Sequence, residues 1–219
     1  MMQIFTNRDC MEGMHEYPDK YFDLAIVDPP YGIGQTWKKN KSGKFSNDKI
    51  GYKNDRIPGA EYFLELFRVS KNQIIWGANY FKEHIPLSNN LICWDKQCTF
   101  EKEFKSEFEL AWTSITKYPA LIVRIPWSGG RKGPETKIKI IHPHQKPLAL
   151  YRWQVNKFCK PGYKILDTHA GSASSLIIYE EYGLEYVAFE IDTELFEKAR
   201  CRLEKTRCEM KLFVPSLNY

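Results

Sequence analysis

The stretch Lys164-Ile-Leu-Asp167-Thr-His-Ala-Gly171-Ser172-Ala-Ser174 runs into Ser-Leu-Ile-Ile-Tyr-Glu-Glu-Tyr182 and then into Tyr186-Val-Ala-Phe-Glu190-Ile-Asp192. A short β-branched run, a turn of small residues, a longer apolar stretch and a second short run read as strand, turn, helix, strand. The expected elements are strands Lys164–Asp167 and Glu185–Glu190 around a helix Ser172–Tyr182. A further helix follows at Thr193–Lys205, where Leu195, Phe196, Ala199 and Leu203 recur at helical spacing with charges between them. Upstream, the same kinds of run predict strands at Asp23–Val27, Gln73–Gly77, Leu91–Asp95, Phe108–Thr113 and Ala120–Ile125, with helices at Gly59–Val69 and Leu148–Phe158. Several of these strands are apolar on both faces, as strands in the middle of a covered sheet must be. The alternation predicts an α/β fold of Rossmann-like kind, a mostly parallel twisted sheet with helices on both faces.

Each strand-to-turn junction carries polar residues where an open α/β sheet binds ligands. The turn at Gly171 lets a ligand approach the backbone, and Glu190 follows it by 19 positions, the usual distance to an acid that accepts ribose hydroxyls. Gly-x-Gly-x-x-Gly and the P-loop are both absent, so a nucleoside cofactor without a pyrophosphate fits better than a dinucleotide. The second junction is Asp23-Leu-Ala-Ile-Val-Asp28-Pro29-Pro30-Tyr31-Gly32. Proline has no N–H, so the carbonyls here are free to accept hydrogen bonds. The Asp28 carboxylate and the Pro29 carbonyl then make a rigid acceptor pair beside an aromatic ring, suited to a planar substrate bearing an amino group. The plainer reading is that Asp28 caps the next element and the prolines end the strand.

Taken together, these two constellations resemble the DNA amino-methyltransferases that use S-adenosyl-L-methionine. Asp28-Pro29-Pro30-Tyr31 is similar to the catalytic motif of that family, and Asp167 to Ser174 to its main cofactor motif. Glu190 matches the ribose-binding acid, His144-Gln-Lys146-Pro147-Leu148 the cofactor motif that precedes it, and Asn7-Arg8-Asp9-Cys10 the segment whose Asp contacts the cofactor's adenine. Catalytic motif first and cofactor motif last is the permuted, β-type order. The resemblance covers residues 4–32, 70–95 and 142–205. Three positions depart from the pattern: Thr168 and His169 stand for Pro-Phe, and Ala173 for the second glycine.

The resemblance implies catalytic roles for Asp28, Pro29, Pro30 and Tyr31, with the flipped target base stacked on Tyr31. It implies cofactor contacts for Asp9, Cys10, Lys146, Asp167, His169, Gly171, Ser172, Glu190 and Asp192. Asp167 would bind the methionine amino group. His169 is read first as a satisfied histidine in a tight turn, with a contact to the methionine part as the alternative. Asp at the head of the tetrapeptide is the form typical of adenine-N6 enzymes, so the expected reaction is methyl transfer to adenine N6 in double-stranded DNA, as in restriction–modification. Cytosine N4 is the alternative target. Two other classes also stay open: a non-catalytic DNA-binding protein that kept the fold, and a small-molecule or protein amine methyltransferase.

Composition bounds the rest. The chain has 219 residues, 43% hydrophobic and 27% charged, enough for one domain with its own core, and the expected organisation is one catalytic domain over 1–219. No apolar run reaches the roughly 20 residues of a membrane span, and the N-terminus lacks a signal-peptide pattern, so a cytoplasmic protein is expected. Six scattered cysteines form no Cys-x-x-Cys pair, and neither a disulfide framework nor a structural metal is expected. The net charge of +5 is unevenly placed. Lys38–Arg56 and Lys117–Lys139 each carry a net +5, leaving −5 on the body. These segments coincide with the glycine- and lysine-rich stretches 35–58 and 117–139, read as long loops and as the DNA-facing surface. Lys38, Lys39, Lys41, Lys44, Lys53, Arg56, Trp127, Arg131 and Lys132 are the DNA-binding candidates, Trp127 as a stacking platform. Trp76, Trp94, Trp112 and Trp153 are expected in the core. A homodimer stays open.

Overall fold

Why the predicted runs become a sheet is visible in β2 (Phe22–Val27). Leu24 and Ile26 bury into one apolar cluster, Ala25 and Val27 into another. A strand that buries both faces has to lie between two helical layers. In the computed structural model, which describes residues 2–33, 36–39, 45–48, 55–86, 88–97, 106–127, 135, 138, 140–142 and 144–213, it does. The other strands of its sheet are β1 (Gln3–Asn7), β5 (Ser70–Trp76), β6 (Leu91–Asp95), β7 (Phe108–Thr113), β8 (Leu121–Arg124), β9 (Lys164–Asp167) and β10 (Glu185–Glu190). Their order across the sheet is β1-β10-β9-β2-β5-β7-β6-β8. Pairing is parallel throughout, except that β7 is antiparallel to both its neighbours.

Helices α3 (Leu148–Phe158), α4 (Ser174–Glu181) and α5 (Thr193–Phe213) cover one face, contributing Leu150, Val155, Leu176, Ile177, Ala199 and Leu203 to its core. Helices α1 (Cys10–Met14) and α2 (Ala60–Val69) cover the other, with Met14, Tyr62, Phe63, Leu66 and Val69 buried. The α/β expectation holds. Trp76, Trp94 and Trp112 are buried, and Trp153 packs partly buried against the core, as expected.

The sequence reading missed three features. β1 is an edge strand joined to β10 from Gln3↔Tyr186 to Asn7↔Glu190, and α1 is barely more than one turn, both too short for periodicity to show. Stretch 35–58, read wholly as a loop, contains an antiparallel pair, β3 (Thr36–Lys39) with β4 (Phe45–Asp48). Helix α5 runs eight residues past the expected end at Lys205. Arg200 bonded to Glu197 and Glu204 extends its helical support on a face with few apolar residues.

The chain steps from β2 to β5 in one direction across the sheet and from β9 to β10 in the other. The crevice above the carboxyl ends of β2 and β9 is therefore the topological switch point, the place where such sheets bind ligands. Asp28 follows β2 and Asp167 ends β9, so the two acids flank it. Helix α3 is fixed there by an unforeseen cap. The buried carboxylate of Glu135 accepts hydrogen bonds from the Leu148 and Ala149 amides, at 3.0 and 2.8 Å, satisfying donors that the helix itself cannot.

Candidate active site

On the β2 side, both oxygens of Asp28 are engaged. The Tyr31 hydroxyl donates to Oδ1, and the Lys146 ammonium forms an ion pair with Oδ2. Lys146 Nζ also donates to the Tyr31 hydroxyl at 3.3 Å and lies 3.2 Å from Glu109 Oε2. Lys96 closes the group from the far side, 2.7 Å from Glu109 Oε1. Burial works to raise the Glu109 carboxyl, but the two flanking ammonium groups outweigh it and hold it at about 2. Burial likewise works against the charge on Lys146, and Asp28 and Glu109 outweigh it, so its pKa is raised. Burial, with the Asp28 charge adding to it, pushes the Tyr31 phenol well above its ordinary value, so it remains a donor. The result is a cluster of fixed charges past the carboxyl ends of β2 and β6 and at the amino end of β7.

Tyr31 is seated by its neighbours. Gly77, at the end of β5, has φ +78, and a Cβ there would come within 2.3 Å of the Tyr31 ring. Tyr80 stacks on the ring at 4.9 Å and 12° between planes, and Phe81 meets its edge at 6.0 Å. One face of the Tyr31 ring is thus covered. Tyr80, 40% exposed, is the outermost aromatic of the stack.

On the β9 side the chemistry is different. Asp167 is 3% exposed, and its hydrogen bonds come from two neutral donors, the Ser175 hydroxyl at 2.5 Å and the His169 amide at 3.1 Å. Burial pushes its carboxyl up to about 7, with the charges of Asp28 and Glu190 adding to the effect. Glu190 ends β10. It accepts from the Gly171 amide through Oε2 and from the Asp192 amide through Oε1, both at 2.9 Å, which fixes the carboxylate across the turn. Burial raises its pKa as well. A cavity of about 70 Å³ opens here, lined by Arg8, Asp9, Cys10, Thr168, His169, Glu190 and Ile191. Buried acids around a cavity, held by neutral donors, suit a ligand with hydroxyls and a cationic group.

The structure thus gathers the expected residues into two groups. Asp9, Cys10, His169 and Glu190 share the small cavity, with Asp167 next to His169 and Gly171 bonded to Glu190. Asp9 also caps α1, accepting from the Met11 amide at 2.7 Å, and Asp192 accepts from the Leu195 amide at the start of α5. Burial raises the Cys10 thiol to about 12, which makes it inert as a nucleophile. His169 Nδ1 is 2.9 Å from the Thr168 hydroxyl, itself 2.7 Å from the Tyr62 hydroxyl, and burial lowers the ring to about 4. Ser172 pairs with Ser174 at 3.1 Å beneath the turn. Ala173 adopts φ 57 and ψ 26, the left-handed region in which glycine is at home.

Lys146, expected against the cofactor, has its ammonium on Asp28. Trp127, expected as an exposed platform, is partly buried and packs on the core. Tyr31, expected to stack the flipped base, has Tyr80 stacked on one face of its ring. Glu109 and Lys96 were missed, although an acid within the apolar run Phe108–Thr113 was a signal worth reading. Arg56 is exposed, and Lys38 and Lys39 lie on β3. Gly34, Lys41, Lys44, Lys53, Arg131 and Lys132 lie outside the described residues.

A mostly parallel sheet with buried and ion-paired acids gathered at its switch point is the architecture of an α/β ligand-binding enzyme fold. Residues 22–200 match the family model described as DNA methylase, and the chain belongs to that family. It is a DNA methyltransferase, and S-adenosyl-L-methionine is its methyl donor. The M1.HpyAVI–SAM complex is 18% identical with a TM-score of 0.60, covering 93% of this chain and 99% of that one. The PvuII DNA methyltransferase, cytosine-N4-specific, is 14% identical with a TM-score of 0.58, covering 95% and 91%. YubD of Escherichia coli (strain K12), named as a methylase, is 21% identical over 229 residues, covering 96% of this chain and 94% of that one. Among the described residues, no helix is long and apolar enough to cross a membrane.

Proposed function

We propose that this enzyme methylates N6 of adenine in duplex DNA by direct transfer, with Asp28 and the Pro29 carbonyl holding the target amine. The observation that carries the reading is an acid, paired with Lys146, at the end of β2 beside the switch point. An exocyclic amine is a poor nucleophile because its lone pair is delocalised into the ring. Two acceptors bonded to its hydrogens favour a more tetrahedral nitrogen and aim the lone pair, which is catalysis by positioning and electrostatics. Each oxygen of Asp28 keeps a second lone pair beside its present partner, so the carboxylate can accept from the amine. Once the nitrogen has bonded the methyl it carries an extra proton, and Asp28 is the base placed to take it.

When bound, S-adenosyl-L-methionine supplies an electrophilic methyl group. Asp167 would bind its amino group, Glu190 its ribose hydroxyls, and Asp9 its adenine, with Gly171 and Ser172 leaving the turn open. A cation fits Asp167 because that acid is buried among neutral donors. Segments 35–58 and 117–139 would face the DNA, by virtue of their charge. The motif order is that of the permuted, β-type enzymes.

Cytosine N4 is the second reading, favoured by the likeness in fold to a cytosine-N4-specific enzyme. Either base offers a planar amine to Asp28. Incubation with DNA and labelled cofactor, then digestion to nucleosides and separation by mass, tests the proposal. N6-methyladenine is expected. N4-methylcytosine would move the target and keep the mechanism, and no modified base would overturn both.

A further inference from the structure

The cluster around Asp28 holds more than amine binding requires. Lys146 has a 5% exposed side chain and three donors, of which one meets Asp28 and one the Tyr31 hydroxyl. The third side faces Glu109, at ion-pair distance yet without hydrogen-bond geometry, so the fully buried Glu109 Oε2 has no hydrogen bond of its own. Lys96 anchors Glu109 from behind. An ammonium is therefore held immediately beside the acceptor for the target amine, by a carboxylate that does nothing else visible.

An amino base presents a donor and, on the next ring atom, an acceptor: N6–H and N1 in adenine, N4–H and N3 in cytosine. Guanine and thymine present the reverse, a carbonyl oxygen followed by an N–H. An acceptor and a donor side by side in the protein match the first pattern and leave two clashes with the second. From this juxtaposition we infer that Lys146 donates to the ring nitrogen next to the target amine, so that Asp28 and Lys146 together admit amino bases and reject keto bases. Glu109 and Lys96 are the positioning residues, keeping the ammonium in place while Asp28 turns to the amine. The inference rests on the amine-binding role proposed for Asp28 and names the second half of the recognition.

A functional-group cycle tests it. Nucleoside analysis and sequencing of modified DNA first establish the methylated base and its surroundings, which decides the reading above separately. Duplexes with that sequence then carry adenine or 1-deazaadenine at the target, the latter keeping the amine and lacking N1. If the base is cytosine, 3-deazacytosine takes its place. Single-turnover transfer and equilibrium binding of both duplexes are measured for the wild type and for Lys146→Met. The ratio of natural to deaza substrate should be about 10-fold or more larger in the wild type than in the variant, the scale of one hydrogen bond from a charged donor. Dividing one ratio by the other removes the altered nucleophilicity and pairing of the deaza base. A quotient below about 2 in both rate and binding would overturn the inference, because that is less than one ordinary hydrogen bond. If Lys146→Met melts below the assay temperature, both proteins are assayed below its melting temperature with the same criterion.

Discussion

Asp28 and Asp167 face each other across one switch point and live in opposite electrostatic surroundings. Asp28 is paired with an ammonium and a phenol before any substrate arrives. Asp167 is buried with neutral donors and pushed up to about 7, so at neutral pH it is only partly ionised. The first arrangement offers a fixed negative acceptor to a neutral amine. The second leaves an unbalanced buried acid that a cationic ligand would complete. One fold thus prepares one acid for a nucleophile and another for the group that brings the methyl.

The largest effect expected from breaking this division is at Asp28. Asp28→Ala removes a preorganised acceptor and should slow single-turnover transfer by about 10²-fold or more. Near-normal rates would show that the amine is held elsewhere. Next is the pH response of Asp167. Its carboxyl sits at about 7 in the folded protein and near 3.9 when unfolded, so the folded state binds more protons between those values. Stability of the cofactor-free protein should therefore fall as pH rises from about 4 to 7 through this group, and affinity for the cofactor should rise through about 7. Asp167→Asn should flatten both trends. Melting curves and titration calorimetry across that window check them, and unchanged slopes would deny Asp167 its role.

Smaller effects sharpen the seating of each acid. Glu190→Ala should weaken the cofactor by about 10-fold while leaving the rate at saturation near normal, as for a group that binds ground state and transition state alike. Gly77→Ala would force a Cβ into the Tyr31 ring in a left-handed conformation. It should cost about 1–3 kcal/mol in denaturant unfolding and slow transfer through Tyr31. Ala173→Gly should change stability by less than about 1 kcal/mol, because relief of the left-handed backbone offsets loss of a buried methyl group.

How legible these acids were follows from where their partners lie. Asp28, Asp167 and Glu190 stand at the ends of strands whose apolar runs are plain in the sequence, so their shared edge could be foreseen. The expected strand Phe108–Thr113 matched, yet Glu109 on it was passed over because a single charge in a strand reads as a solvent-facing residue. Only the register Trp94↔Glu109 brings it to the carboxyl edge, and only the loop before α3 brings Lys146 onto it from 37 positions away. Lys146 was noticed by its motif, yet its pairing with Asp28 was not foreseen, since a motif fixes a residue's presence and leaves its direction to packing. Tyr80 gave no signal, being one aromatic in a short 3₁₀ turn, Ala78–Tyr80, after β5.

The division of labour between the two acids is tested most directly by titrating S-adenosyl-L-methionine into Asp28→Ala and Asp167→Asn side by side at pH 8. The first should bind like the wild type and the second about 10-fold or more weaker, the loss expected when an ionised partner is removed. Equal weakening in the two variants, or weakening confined to Asp28→Ala, would contradict the account.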